Sequence, residues 1–85
     1  MDSLNMLREW VIKNFNPLTR LHINQYIPDF MVRRLFESET GLVVSQDEFV
    51  KVMVDVGFRG RLTRNRDWVF NISDAEYQKV LRRPK

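Results

Sequence analysis

An α+β domain in the order helix, strand, helix, helix, strand, strand, helix is what this sequence predicts, and three observations predict it. Two Ser-x-x-Glu stretches, at 45–48 and 73–76, each mark the start of a helix. Gly41 and Gly57 fall just beyond two runs of helical periodicity, where a left-handed residue closes a helix. Between Phe58 and Ile72 the period drops to two and the residues become aromatic and β-branched, the pattern of a hairpin.

The elements follow in order. A first helix is expected over 3–15: Leu4, Leu7 and Val11 recur at helical spacing, with Met6 and Trp10 beside them. Asp2 or Ser3 caps its free amides, and Pro17 stops it. Residues 18–23 alternate loosely and read as a short strand. Pro28 opens the second helix, where its missing N–H is no loss, and Asp29 sits at the positive end of the dipole. Met31, Leu35 and Ser38 make one row of that helix, Val32, Phe36 and Glu39 another, and Gly41 ends it.

After a short apolar connection at 42–44, Ser45 caps the amide of Glu48 while Glu48 reaches back, which starts the third helix. Phe49, Val52, Met53 and Val56 form its buried stripe, and Gly57 stops it. Two strands follow, at 58–63 and 67–72. Phe58 and Leu62 face inward from the first, and Trp68, Phe70 and Ile72 from the second. Arg64, Asn65 and Arg66 form the loop, with Asn65 suited to positive φ. A second capping box at Ser73 opens a last helix running through Arg82, with Tyr77, Val80 and Leu81 inward. This is the order of a winged helix-turn-helix, one domain over 1–85, with an extra helix after the wing.

Composition narrows the function. The chain has no cysteine, so disulfides and thiolate metal sites are excluded, and His22 alone cannot build a zinc site. We expect no metal and no cofactor. No apolar run reaches the length of a membrane span, and Asp2, Arg8, Glu9 and Lys13 deny the first 15 residues the apolar core of a signal peptide. A soluble, cytoplasmic protein without membrane contact is the expectation. Catalysis is not expected. His22 has no nucleophile signature near it, Ser45 and Ser73 are used as caps, and Glu37 and Glu39 lie on different helix faces.

Charge is unevenly placed. Residues 1–58 carry six basic and eight acidic residues, a balance of −2, whereas residues 59–85 carry eight basic and three acidic, a balance of +5. Such asymmetry points to a basic face for an anionic partner. In a helix-turn-helix the second helix of the pair reads bases with its first residues. Here those are Gln46, Asp47, Val50 and Lys51. With Asp47, Glu48 and Asp55 against Lys51, that helix sums to −2, which disfavours it beside phosphates. Gln46 is suited to an adenine edge and Lys51 to a phosphate.

The wing has the opposite charge. Arg59, Arg61, Arg64 and Arg66 place four guanidinium groups in eight residues, each able to pair bidentately with phosphate oxygens. Pairing of Arg61 or Arg66 with Asp67 or the tail carboxylates is expected to withdraw one of the four. Lys79, Arg82 and Arg83, with Lys85, extend the patch if the last helix packs beside the wing, and Arg33 and Arg34 are placed to touch backbone from the second helix. Gly60 admits a close backbone approach or marks a bulge. Trp68, Phe70 and Trp10 read as core rather than base-stacking platforms, and Tyr26 and Tyr77 stay open between the two.

Leu35, Gly41, Ser45, Phe49, Gly57, Phe58, Arg59, Arg61, Trp68 and Phe70 also carry a resemblance. Over 26–72 the sequence resembles the winged-helix module at the C-terminus of phage- and poxvirus-type primase-helicases. No Gly-x-x-x-x-Gly-Lys-Ser/Thr loop accompanies it, so the resemblance extends to the module and not to the helicase. It implies a nucleic-acid-binding protein, DNA first, in replication or regulation for a phage or other mobile element. The expected function is therefore backbone-dominated nucleic-acid binding through the wing. The alternative is a protein-interaction module, or a homodimer, in which Asp47, Glu48 and Asp55 dock a basic partner and regulate a replication protein or a host nucleic-acid-binding complex.

Overall fold

The computed structural model describes residues 2–84. It has four helices, α1 (Ser3–Asn14), α2 (Asp29–Thr40), α3 (Gln46–Val56) and α4 (Asp74–Leu81), and a two-stranded antiparallel sheet of β1 (Gly60–Leu62) and β2 (Trp68–Phe70).

The helix ends follow from the caps. Asp2 accepts from the Asn5 N–H at 2.9 Å to start α1. Ser45 and Glu48 make both bonds of a capping box, at 3.1 and 2.9 Å. Gly41 and Gly57 close α2 and α3 at φ 76° and 114°, a region that costs any residue with a Cβ. At α4 only half of the expected box forms. Ser73 accepts from the Glu76 N–H, but the Glu76 carboxylate turns to the Asn16 N–H and the Thr19 hydroxyl, bracing the loop after α1.

The expected strand over 18–23 does not form; this segment is a chain of turns. Asn16 Oδ1 accepts from the Leu18 N–H, and Asn24 Oδ1 from the Tyr26 N–H. Such side-chain-to-backbone bonds compete with a ladder and curl the chain. What reaches β2 is the next few residues: the Asn24 N–H donates to Phe70 O at 2.9 Å, and Pro28 makes an isolated bridge to Val69. Proline has no N–H with which to continue the pairing. β2 thus has β1 on one edge and segment 24–28 on the other.

The core lies between α1, α2, α3 and β2. Trp10 stands edge-on to Phe15 and Phe36, and Phe49 edge-on to Phe70, the preferred aromatic geometry. Phe58, Phe70, Ile72, Tyr77 and Val80 are buried as expected, but Leu62 and Leu81 are about half exposed, and Val56 is only partly covered. Leu62 lies opposite half-buried Trp68 at the end of the sheet next to the hairpin loop. Val69, on the face of β2 expected to be open, is buried as well.

Three buried polar side chains hold these parts in register. Asn71 donates to Pro17 O and Arg20 O and accepts from the Arg59 N–H. Asn24 donates to Ile72 O and to Asp74. Asp29, the third, ties the start of α2 to β2. No buried side-chain polar atom among the described residues lacks a partner, as native interiors require.

Gly60 faces Phe70 across the sheet. A Cβ there would sit 2.4 Å from the ring, and the ring is fixed by Phe49 on one side and by stacking on Trp68 on the other. Gly60→Ala is expected to destabilise the protein by about 1–3 kcal/mol, the range of overpacking in a closed core. Its urea midpoint measures this, and a midpoint equal to wild type would mean that the ring is free to move.

Glu39 joins α1, α2 and the C-terminal turn. It accepts from the Trp10 indole N–H at 2.9 Å and takes a two-pronged contact from Arg83, whose third nitrogen donates to Asn14. Desolvation pushes the Glu39 pKa up, but the bonds from Arg83 and Trp10 outweigh it, so the carboxyl titrates below its ordinary value of 4.5. A depressed carboxyl contributes stability above its unfolded pKa and loses it as pH falls through the folded one. Glu39→Gln should therefore lower the urea midpoint at pH 7, and the gap from wild type should close as pH drops below about 4. A gap constant from pH 7 to pH 3 would remove charge from the explanation.

Candidate nucleic-acid interface

The β1–β2 hairpin is the most basic element of the fold. Its ladder bonds run past the paired residues at both ends, from Asn71 N–H to Arg59 O and from Thr63 N–H to Asp67 O. The Arg66 N–H closes the turn on Thr63 O, and the Asp67 N–H on the Thr63 hydroxyl. Arg64, Asn65 and Arg66 thus form a three-residue hairpin loop, whose last position takes the left-handed conformation. The residue at positive φ is Arg66, at 65°, and not Asn65 as expected. Glycine and asparagine fill such a position more easily, so arginine there is a local cost of about 1–2 kcal/mol.

Arg61, Arg64 and Arg66 are exposed, and none of them makes an ion pair among the described residues. The expected competition from Asp67 does not occur. Arg59 is the arginine withdrawn instead: its guanidinium donates to Leu21 O, anchoring the loop that follows α1.

The remaining cations separate into free and engaged. Arg33 is tied to Asp29 at 2.9 Å, one turn earlier on α2. Arg34 lies 5.2 Å over the Phe30 ring and lines a cleft with Tyr77, Val80 and Leu81, so it faces α4. Arg83 is held by Glu39 and Asn14, so it does not extend the patch. Lys51, Lys79 and Arg82 are exposed with no ion-pair partner among the described residues. Lys85 lies outside them.

Gln46, expected to face a base, is used internally. Its amide nitrogen donates to Asp29 Oδ1 at 3.2 Å and to Arg66 O at 2.8 Å. The start of α3 is thereby bonded to the tip of the hairpin. The acidic residues of α3 are largely occupied too: Glu48 in the capping box and Asp55 with Arg8 at 3.1 Å. Asp47 alone of the three is exposed with neither an ion pair nor a side-chain hydrogen bond among the described residues.

Asp29 is the residue that sequence reasoning undervalues. Its position suits the positive end of a helix dipole, and it does begin α2, but it is fully buried. One oxygen accepts from the Trp68 N–H at 2.8 Å and from Gln46, and the other from Arg33. A single carboxylate thus fixes the relative placement of α2, α3 and β2. The only signal for it in the sequence is the Asp-x-x-x-Arg spacing of 29 and 33.

A shallow groove opens beside the hairpin, lined by Gln25, Tyr26, Arg61, Leu62, Thr63 and Arg64. Among the described residues, no group of His, Cys, Asp and Glu is placed to hold a metal ion, and no helix is long and apolar enough to cross a membrane. No family model matches this chain, and neither a curated protein nor a solved structure matches it.

Proposed function

We propose that this chain is a winged helix-turn-helix protein that binds nucleic acid, DNA first, through phosphate contacts of the β1–β2 hairpin acting as the wing. The observation that carries the reading is the set Arg61, Arg64 and Arg66: three exposed guanidinium groups on one short hairpin, without a carboxylate partner among the described residues. Arg66 adds to it, because a charged residue stands where the backbone favours glycine, and local rules are most often broken where function requires it. The helix pair α2–α3 ahead of the hairpin, and segment 24–28 on the other edge of β2, support the winged arrangement. A place in the replication or regulation of a phage or mobile element rests on the sequence resemblance alone.

The mechanism that follows is backbone attachment rather than base reading. Phosphate contacts position a protein without reading sequence. The α3 start, which would read bases in a typical helix-turn-helix, has Gln46 bonded to the hairpin and carboxylates beside it. The competing protein-interaction reading draws on the acidic α3, and that motivation shrinks once Glu48 and Asp55 have internal partners.

Titration of equal-length single- and double-stranded DNA and RNA at 50 and 200 mM salt tests the reading. With three phosphate contacts, the log–log salt slope is expected near −2 to −3. If none of these polymers binds at 50 mM salt, the reading is withdrawn.

A further inference from the structure

The groove beside the hairpin carries more than charge. Tyr26 is 75% exposed and Leu62 is 52% exposed, and both line it with Arg61 and Arg64. No carboxylate lines it. Its volume, about 460 Å³, falls in the range of small-molecule sites. Tyr26 is also held outward by its neighbours. Asn24, two positions before it, and Ile27, next after it, are buried, and the Tyr26 N–H is fixed on Asn24 Oδ1 at 3.1 Å. The ring is therefore presented on a rigid turn, so little ordering is needed when a flat ligand stacks on it.

From these observations we infer that the groove binds an unpaired nucleotide of a single-stranded nucleic acid. The base stacks on Tyr26 and lies against Leu62, and Arg61 and Arg64 take the flanking phosphates. Stacking platforms set among basic residues are how single strands are held, because every unpaired base offers a π-face. A duplex keeps its bases stacked on one another and gives Tyr26 nothing to cover. This inference rests on the proposed function and specifies it: the wing arginines serve any nucleic acid, and Tyr26 serves single strands.

The test uses the whole chain and two fluorescent probes, a 12-nucleotide oligothymidylate and a 12-base-pair duplex, with anisotropy titrations from 50 to 300 mM salt. Tyr26→Ala should weaken oligothymidylate binding about tenfold or more, within the range of one stacked base. It should leave the salt slope unchanged, since no phosphate contact is lost, and should leave the duplex affinity unchanged. Tyr26→Phe should bind as wild type does. Because Tyr26 is mostly exposed, both variants should keep the wild-type thermal midpoint. Equal oligothymidylate affinity for Tyr26→Ala and wild type, with Arg61→Ala still weakening it, would overturn the stacking site and leave the wing reading standing. Loss of affinity in Tyr26→Phe as deep as in Tyr26→Ala would overturn stacking in favour of a hydroxyl contact. Wild type that binds the duplex and not the oligothymidylate would overturn the stacking site alone; failure to bind either probe would overturn it too and remove DNA from the wing reading.

Discussion

Asp29→Ala is expected to cost about 3 kcal/mol of folding stability, since removing one partner of a buried ion pair typically costs 3–5 kcal/mol. The lower end applies because Arg33 keeps 28% of its side chain exposed and can turn to water. The Trp68 N–H has no such escape. It loses its acceptor at 2.8 Å in a part-buried setting, and an orphaned donor alone costs about 1–3 kcal/mol. Against a total of about 4–13 kcal/mol for a chain of this size, the change is severe. Asp29→Asn keeps a carbonyl oxygen for Trp68 while deleting the charge, and should lose roughly half as much. Urea unfolding of both variants checks the order, and hydrogen exchange at Trp68 should rise in the alanine variant before it does in the asparagine one. If Asp29→Ala came within about 1 kcal/mol of wild type, the cost of a single unmade hydrogen bond, the carboxylate would not be what joins α2, α3 and β2.

The same residue shows where sequence reading stops. Helix boundaries were legible because they are set by residues three or four positions apart: Asp2 with Asn5, Ser45 with Glu48, Gly41 and Gly57 with the turn before them. The polar contacts by which Asp29, Asn24 and Asn71 join separate elements reach across 12–54 positions, and no local pattern announces them. The strand expected over 18–23 failed for the opposite reason. Its alternation is real, but the asparagines at 16 and 24 offer the backbone nearer partners than a sheet does. Within the candidate site, the clustering of arginines was visible in the sequence, and the occupation of individual members was not. Arg59, Arg83 and Gln46 look as available in the sequence as Arg61, Arg64 and Arg66, and it is partners distant in the chain that occupy them; Arg33 is taken by Asp29 one turn away. Tyr26 is ambiguous in the sequence because a tyrosine suits both core and surface, and only its exposure decides.

The largest functional loss is expected from Arg64→Ala combined with Arg66→Ala. Each phosphate contact contributes about 0.9 to the salt slope, so a three-contact wing at about −2.7 should fall to about −0.9. At 0.1 M salt the same two contacts amount to about 1.8 decades of affinity, or roughly 60-fold. Two unrelated duplexes should lose the same factor, because guanidinium on phosphate carries no sequence information. A tenfold difference between them would mean that the hairpin reads bases. The hairpin itself should survive: its closing bonds come from backbone and from Thr63, and Gln46 binds the Arg66 carbonyl rather than its side chain. Arg64→Ala with Arg66→Gly separates charge from conformation. Glycine takes φ 65° freely, so this pair should be more stable than the double-alanine variant, by up to about 1 kcal/mol, while binding equally poorly. A protein that gains stability and loses binding by the same substitution at the hairpin tip would place the cost of arginine at 66 with the phosphate contact it makes.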